Sequence, residues 1–520
     1  MSEETLLGFL DHEGGIRLIC HTFTLYGVAK RNAEIYPDRL AFADGNKRLT
    51  FKQFLDLVDR VAVGLRKEGI KRGDRIGVIS RNNLEYFVLY FAAARCGGVF
   101  VPVNTRLSQG EVEYILNNCE PKLLFVDSFS QPIVDPSVMK VASIKKYYSM
   151  GQEQGHFLNF DQIIHHDGKM KEVGVRGEHG MIIIYTAAMG GRPRGALLTH
   201  ANVLASDMQV MYGLSLKNDD VYLCVLPLFH VAGLMFSTNV FHAGAANVII
   251  AQFDPQKLLE VVQEEKISIL FDFSPMLQQI VEKMAEKKYD VSSVRMVVGI
   301  TYPDCFKEFR AVTGATFYRV WGQTETTSFI TACRHEERPG SIGRAFPLTQ
   351  IQIVDDEGHP VNRGQPGEIV VRSPQVFKEY WNLEQETAFT FRGGWHHTGD
   401  LGRLSEEGYL WFVGRKQEKD LIKTGGENVY PAEVESVILK HPQIKEAVVI
   451  GVPDPKWLES LKAVCVVKEG DVVTEKEVID FVAELIASYK KPKRVQFVES
   501  LPRTKSGEID REKVKSIYRE

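Results

Sequence analysis

Short apolar segments of strand length alternate with helix-like segments through much of the chain, and this alternation restricts the fold more than any other feature of the sequence. Thr50 and Gln53 form a capping-box signature, and Phe51, Phe54, Leu55, Val58, Ala62 and Leu65 recur at helical spacing. Gly69 supplies the stop. Arg75–Ser80 then reads as a strand, Leu84–Arg95 as an apolar helix and Val99–Val103 as a second strand, an order that calls for parallel crossovers. Further strands are expected at Met181–Tyr185, Val221–Leu226, Ala246–Ile250, Ile267–Phe273 and Val294–Val298. In α/β sheets the turns that follow such strands are where ligands sit.

From about Ile351 the character changes to short β segments separated by turns such as Asp355-Asp-Glu-Gly358 and Gly364-Gln-Pro-Gly367. A charged stretch, Gly414–Asp420, precedes a restart with a helix near Pro431–His441, strands at Ala447–Gly451 and Ala463–Val467, and a helix near Glu475–Ser488. A chain of 520 residues exceeds one ordinary core, so we expect an N-terminal domain over 1–416, a hinge at 417–420 and a small C-terminal domain over 421–520. The net charge of −4 gives no bias toward nucleic acid or an anionic membrane. The basic run Lys490-Lys-Pro-Lys-Arg494 reads as a solvated turn, and the His pairs 165–166 and 396–397 as surface or packing residues without metal-ligand partners. Seven isolated cysteines without a Cys-x-x-Cys pair point to reduced thiols and a cytoplasmic location. The N-terminus lacks signal-peptide order and the longest apolar stretch is broken by Arg95 and Gly97-Gly98, so no integral membrane segment is expected.

Four segments carry chemical signals. Tyr185-Thr-Ala-Ala-Met-Gly-Gly-Arg-Pro-Arg-Gly195 follows a strand, and glycine-rich turns with a basic residue can wrap phosphates. Trp321-Gly-Gln-Thr-Glu325 offers an aromatic face, a hydroxyl and a carboxylate suited to Mg²⁺. His397-Thr-Gly-Asp400, with Gly414-Arg415 further on, supplies a carboxylate that can accept both hydroxyls of a ribose and a guanidinium beside it. Lys423-Thr-Gly-Gly-Glu-Asn-Val-Tyr-Pro-Ala-Glu-Val-Glu435 has twin glycines that let a thin ligand pass the backbone, and Pro431 then opens a helix.

Together and in this order the segments resemble the adenylate-forming superfamily, in particular the AMP-producing acyl-CoA synthetases. The resemblance runs from Tyr36-Pro-Asp-Arg39 to Ile509-Asp-Arg511 and includes Val101-Pro-Val-Asn-Thr-Arg-Leu107, Leu226-Pro-Leu-Phe-His230 and Val449-Ile-Gly-Val-Pro-Asp454. It implies an α/β fold: a large N-terminal domain of parallel and mixed sheets with helices plus a distorted β-barrel, and a small α+β C-terminal domain. It also implies ATP, CoA and Mg²⁺ as ligands, a small aliphatic or aromatic carboxylic acid as substrate, and a monomer or homodimer. By the same resemblance Trp321 stacks on adenine, Thr324 touches the α-phosphate, Glu325 holds Mg²⁺ and Arg194 the phosphates, with Thr186 the hydroxyl left in that loop. Asp400 and Arg415 bind the ribose, and His230 lies beside the acyl carboxylate. Gly299, Thr301, Gly322 and Gln323 complete the AMP-binding set. Gly425 and Gly426 border the pantetheine channel once the C-terminal domain rotates after adenylation.

The sequence departs from the family pattern in groups that would serve the leaving pyrophosphate or the adenylation transition state, and also at the hinge and at a turn by the acyl pocket. Where the family loop has Ser-Gly-Thr-Thr, this chain has Ala187, Ala188, Met189 and Gly190, and each lost hydrogen bond to a charged group is worth about 1.5–3 kcal/mol. Glu508 stands where the family has its C-terminal lysine, and Lys505 lies three residues earlier. The usual Gly-Gly-Ala-Pro turn is Gly299-Ile-Thr-Tyr302, and two extra residues separate Arg415 from Asp420. The expectation is an acid–CoA ligase whose attack on ATP is slowed, differently assisted or run in reverse. The alternatives are a non-catalytic AMP or acyl-AMP binder, and an adenylating enzyme that loads a carrier-protein thiol.

Overall fold

Two large sheets share one apolar seam, and the chain that follows them folds into a separate lobe. The computed structural model describes residues 23–519 apart from 135, 152–154, 167–169, 171–172, 187–191, 301, 417–420 and 505–507. The expected hinge, most of the phosphate loop, Thr301 and Lys505 therefore lie outside the described residues.

The first sheet has eight strands among the described residues. Its parallel centre pairs Arg75–Ile79 with Val99–Pro102 on one side and Leu123–Val126 on the other. Gly180–Thr186 joins as the next parallel strand and turns antiparallel into Arg194–Thr199, which carries Glu379–Tyr380 at its edge. The helix that opens this unit, Phe51–Lys67, starts as the sequence requires: the Thr50 hydroxyl accepts from the Gln53 amide at 3.3 Å and the Gln53 side chain accepts from the Thr50 amide at 2.9 Å. Helix Leu84–Cys96 is apolar all round because it is buried on every side, with Tyr86, Phe87, Tyr90 and Phe91 all closed to solvent.

The second sheet has thirteen strands among the described residues. Leu40–Asp44, Ala246–Ile249, Val221–Cys224, Ile269–Asp272, Met296–Gly299 and Thr316–Gly322 run parallel, as the crossover pattern predicts. At Thr316–Gly322 the sheet changes character. Phe329–Arg334, Gly343–Ala345, Tyr409–Arg415, His396–Leu404, Gly367–Arg372 and Gln350–Val354 extend it as an antiparallel arm, which takes in the short β segments expected from about Ile351. The switch from parallel to antiparallel falls at Trp321–Gly322.

Beyond residue 420 a two-stranded hairpin, Ile422–Thr424 with Glu427–Val429, precedes helix Pro431–Ile438. A three-stranded sheet of Ile444–Asp454, Leu458–Val467 and Arg494–Phe497 packs against that helix and Glu475–Leu485. No helix among the described residues is long and apolar enough to cross a membrane.

Candidate active site between the lobes

Asp400 organises one wall of the site. It lies on His396–Leu404 in register with Arg415, whose Nε is 3.8 Å from its Oδ1. Its Oδ2 accepts from the indole N–H of Trp321 at 3.3 Å and from the Gln323 amide at 2.8 Å. Trp321 is 7% exposed and packs with Ile330, Ile342 and Ile369, so the ring is held rigidly at the sheet's switch point. Gly322 is obligatory there, since a Cβ would stand 2.0 Å from the carbonyl oxygen of Ser328, which leads into the adjacent strand. Beneath Asp400, Glu368 receives the Gly399 amide at 3.0 Å and the His397 imidazole at 3.0 Å, which fixes the Thr398-Gly399-Asp400 stretch of the strand. Burial alone would raise the Glu368 carboxyl, but His397, Gly399 and Lys416 outweigh it and hold it at about 2.

Glu325 lies in a short turn, Thr324–Thr326, and is 9% exposed. Its Oε1 accepts from the Tyr380 hydroxyl at 2.7 Å, while the Arg194 guanidinium sits 4.3 Å over the Tyr380 ring. The buried Arg194 Nε has no hydrogen-bond partner among the described residues. A buried guanidinium nitrogen without a partner is a setting made for an anion that the side chains themselves do not supply.

The third group comes from the C-terminal lobe. Gly425 and Gly426, at φ +57° and +86°, make the hairpin turn that delivers Glu427 into the N-terminal lobe. Glu427 is 3% exposed and accepts from Arg106 at 2.9 Å, from His230 Nε2 at 3.1 Å and from Asn104 at 3.2 Å. Burial acts to raise this carboxyl, yet His230, Arg106 and Asn104 outweigh it and hold it below the usual range. Tyr430, two residues past Asn428, is buried and feels Glu325, Arg194, Asp400 and Arg415 at once; burial first, then Glu325, pushes its hydroxyl up to about 12. Thr186, Thr324, Phe229, His230, Glu427 and Tyr489 are among the residues that line a cavity of about 90 Å³ at this junction.

The structure therefore brings together Thr186, Arg194, His230, Trp321, Gly322, Gln323, Thr324, Glu325, Asp400, Arg415, Gly425 and Gly426. Gly299 ends the neighbouring strand, in register with Arg319. Glu508 is exposed, in a turn where the Thr504 amide donates to its carbonyl at 2.8 Å, outside this group. Three contributors were missed: Tyr380, Glu427 and Tyr430. Glu427 stood inside a quoted motif, and its position directly after two glycines was the available signal. Lys490 corrects the reading of the basic run as solvated: it is 3% exposed, whereas Lys491, Lys493 and Arg494 are exposed. The His pair 396–397 does serve packing and hydrogen bonding, with His396 2% exposed.

Comparison with known proteins agrees with this geometry. A model of the AMP-binding enzyme family matches residues 29–381, and one of the AMP-binding enzyme C-terminal domain matches residues 433–508. An indoleacetate–CoA ligase of Aromatoleum aromaticum is 32% identical over 94% of this chain and 96% of its own. A 2-succinylbenzoate–CoA ligase of Bacillus cereus is 33% identical over 96% of this chain and 99% of its own. Among solved structures, a double mutant of o-succinylbenzoate CoA synthetase from Bacillus subtilis, bound to a product analogue, superposes with a TM-score of 0.81 at 27% identity, covering 94% of this chain and 98% of its own.

Proposed function

Since the chain belongs to the AMP-binding enzyme family, we propose that it joins a small carboxylic acid to coenzyme A through an acyl-AMP, with ATP as the activating substrate. The observation that carries this reading is the convergence of groups from both lobes on one cleft: Asp400, Glu325 and Arg194 on one side, Glu427 and Tyr430 on the other. An aromatic acid is the preferred substrate class. It is supported by the two ligases named above and by the aromatic side chains at the cleft, Phe229, Tyr185 and, next to the Gly426 turn, Phe273.

In the first half-reaction a carboxylate oxygen of the acid attacks the α-phosphorus, and the bond to pyrophosphate breaks. Arg194 and the Thr186 and Thr324 hydroxyls face the phosphates, while Asp400 and Arg415 hold the ribose. Mg²⁺ fits beside Glu325, because magnesium favours one or two carboxylates completed by phosphate oxygens. Among the described residues no cluster of three or more His, Cys, Asp or Glu offers a cage made of protein alone. Bound there, the ion would neutralise phosphate charge. In the second half-reaction the CoA sulfur attacks the acyl carbon and the bond to AMP breaks. A carboxylate only accepts, so the Glu427 contact places the proton of His230 on Nε2 and leaves Nδ1 as the basic nitrogen for the thiol proton.

The test is product formation from ATP, CoA, Mg²⁺ and a panel of arylacetates, benzoates and fatty acids. AMP and acyl-CoA in equal amounts, from an aromatic acid above all, is the expected result. Nucleotide binding without thioester from any acid or from synthetic acyl-AMP would overturn the reading in favour of a binding protein.

A further inference from the structure

Lys490 has no part in the chemistry above, yet its surroundings single it out. Its ammonium donates to Glu433 at 2.6 Å, on helix Pro431–Ile438 of the C-terminal lobe, and to Glu111, on helix Gln109–Cys119 of the N-terminal lobe. Glu111 also accepts from the Ala487 amide at 3.1 Å, so both ends of the 487–490 segment converge on one carboxylate across the lobe boundary. Ala487 belongs to the apolar cluster of the N-terminal lobe that contains Leu107, Val112 and Ile115, and Tyr489 packs against that cluster and against the core of its own lobe. Burial works against the Lys490 charge, and the two carboxylates outweigh it, holding the group above its usual range.

A buried ammonium flanked by two carboxylates is tolerated only where all three meet. Any other arrangement of the lobes that kept these surfaces dry would strand at least one charge. The contact thus discriminates between orientations more than it adds adhesion. Glu433, Tyr489 and Lys490 line the same cavity as His230 and Glu427, so the orientation it selects is the one that brings Glu427 to His230.

We propose that Glu111, Lys490 and Glu433 form an interlobe clasp that sets the orientation used for thioester formation, which makes Glu111 and Lys490 positioning residues for that step. The proposal rests on the two-step reading above. Glu111→Gln is the informative variant. Glu111 accepts from the Ser108 amide and hydroxyl at 2.7 and 2.8 Å, and a glutamine at that helical position still completes the capping box, so the helix start is kept while the charge is removed. Thioester formation from synthetic acyl-AMP and CoA is expected to slow by about tenfold, and by about thirtyfold in Lys490→Met, where two carboxylates are left facing each other. Acyl-AMP formation from acid and ATP stays within about threefold or rises. Adding Glu111→Gln to Lys490→Met should recover part of the loss, a coupling that general destabilisation does not produce. Equal loss in both half-reactions, or no loss in either, overturns the clasp. Should the unaltered enzyme make neither product, the functional reading fails and the clasp is judged by amide exchange alone. Faster exchange across residues 484–491 in Glu111→Gln then supports it, and unchanged exchange refutes it.

Discussion

Two turns of the C-terminal lobe are treated in opposite ways. The hairpin turn at Gly425-Gly426 carries Glu427 into the N-terminal lobe, where three side chains bind it. The two ends of the tail turn, Arg503 and Ile509, are tied to their own lobe, with Arg503 on Glu446 at 2.8 Å and Leu501 and Ile509 packed with Val448, Ile450 and Val514. Glu508, next to Ile509, is exposed. The first turn leads into a buried carboxylate, Glu427, and the second into an exposed one, Glu508. One rigid lobe cannot present both turns to the cleft at once. If this orientation serves the thiol-dependent step, as proposed above, any contribution of the tail to attack on ATP requires the lobe to turn.

The largest effect should come from breaking the wall that both orientations share. Asp400→Ala removes the acceptor for Trp321 and Gln323 and the partner of Arg415, and is expected to lower acyl-AMP formation by about 10²–10³-fold. Pyrophosphate exchange measures it, and a rate within a few-fold of the unaltered enzyme would remove Asp400 from the nucleotide site. Glu427→Gln separates the two turns: it keeps the shape and removes the charge opposite His230 and Arg106. Thioester formation from acyl-AMP should drop by about thirtyfold, with acyl-AMP formation within about threefold. A loss shared equally by both steps would mean that the hairpin has no special tie to the thiol reaction.

The sequence made the scaffold readable because its strands and helices are decided locally. The Thr50–Gln53 capping box, the Pro431 helix start and the run of parallel strands all appear where spacing places them, with end shifts of a few residues, as at Ile438, where the helix expected to reach His441 stops. Asp400 and Arg415 were assigned to one ligand from sequence, and the hairpin that pairs them confirms their adjacency. Lys490 was misread for the opposite reason. Its neighbours in sequence are basic and solvated, and the carboxylate that buries it is 379 residues away. Tyr380 reaches Glu325 from a two-residue strand that no periodicity can reveal. Such residues are set by tertiary packing, and local pattern carries no trace of them.

The nucleotide wall should also differ from the tail turn in its response to acid. The Glu368 carboxyl sits at about 2 in the folded chain against 4.5 for the free group, because His397, Gly399 and Lys416 outweigh the effect of burial. As pH falls the unfolded chain takes up this proton first, so the stabilisation is complete above about 4.5 and is lost progressively down to about 2. Its size is about 3 kcal/mol. Glu368→Gln should lower the urea midpoint at neutral pH and flatten the acid limb between those values. An unchanged acid limb would mean that the wall is held by packing alone.

The smallest effect tests the tail turn itself. Glu508→Lys introduces the positive charge that the family resemblance leads one to expect at this position. With Glu508 exposed and outside the cleft, the substitution should leave thioester formation from acyl-AMP unchanged and stability within about 0.5 kcal/mol. If the lobe turns to bring the tail to the phosphates, acyl-AMP formation should rise by about three- to tenfold. A preorganised contact is worth more, but a single substitution does not rebuild the surroundings that aim it. A gain confined to the first half-reaction would show that residue 508 visits a cleft from which it is absent in this orientation. No gain in either step would mean that the loop around Lys505 or Arg194 already supplies the charge, and that the departure at 508 is neutral.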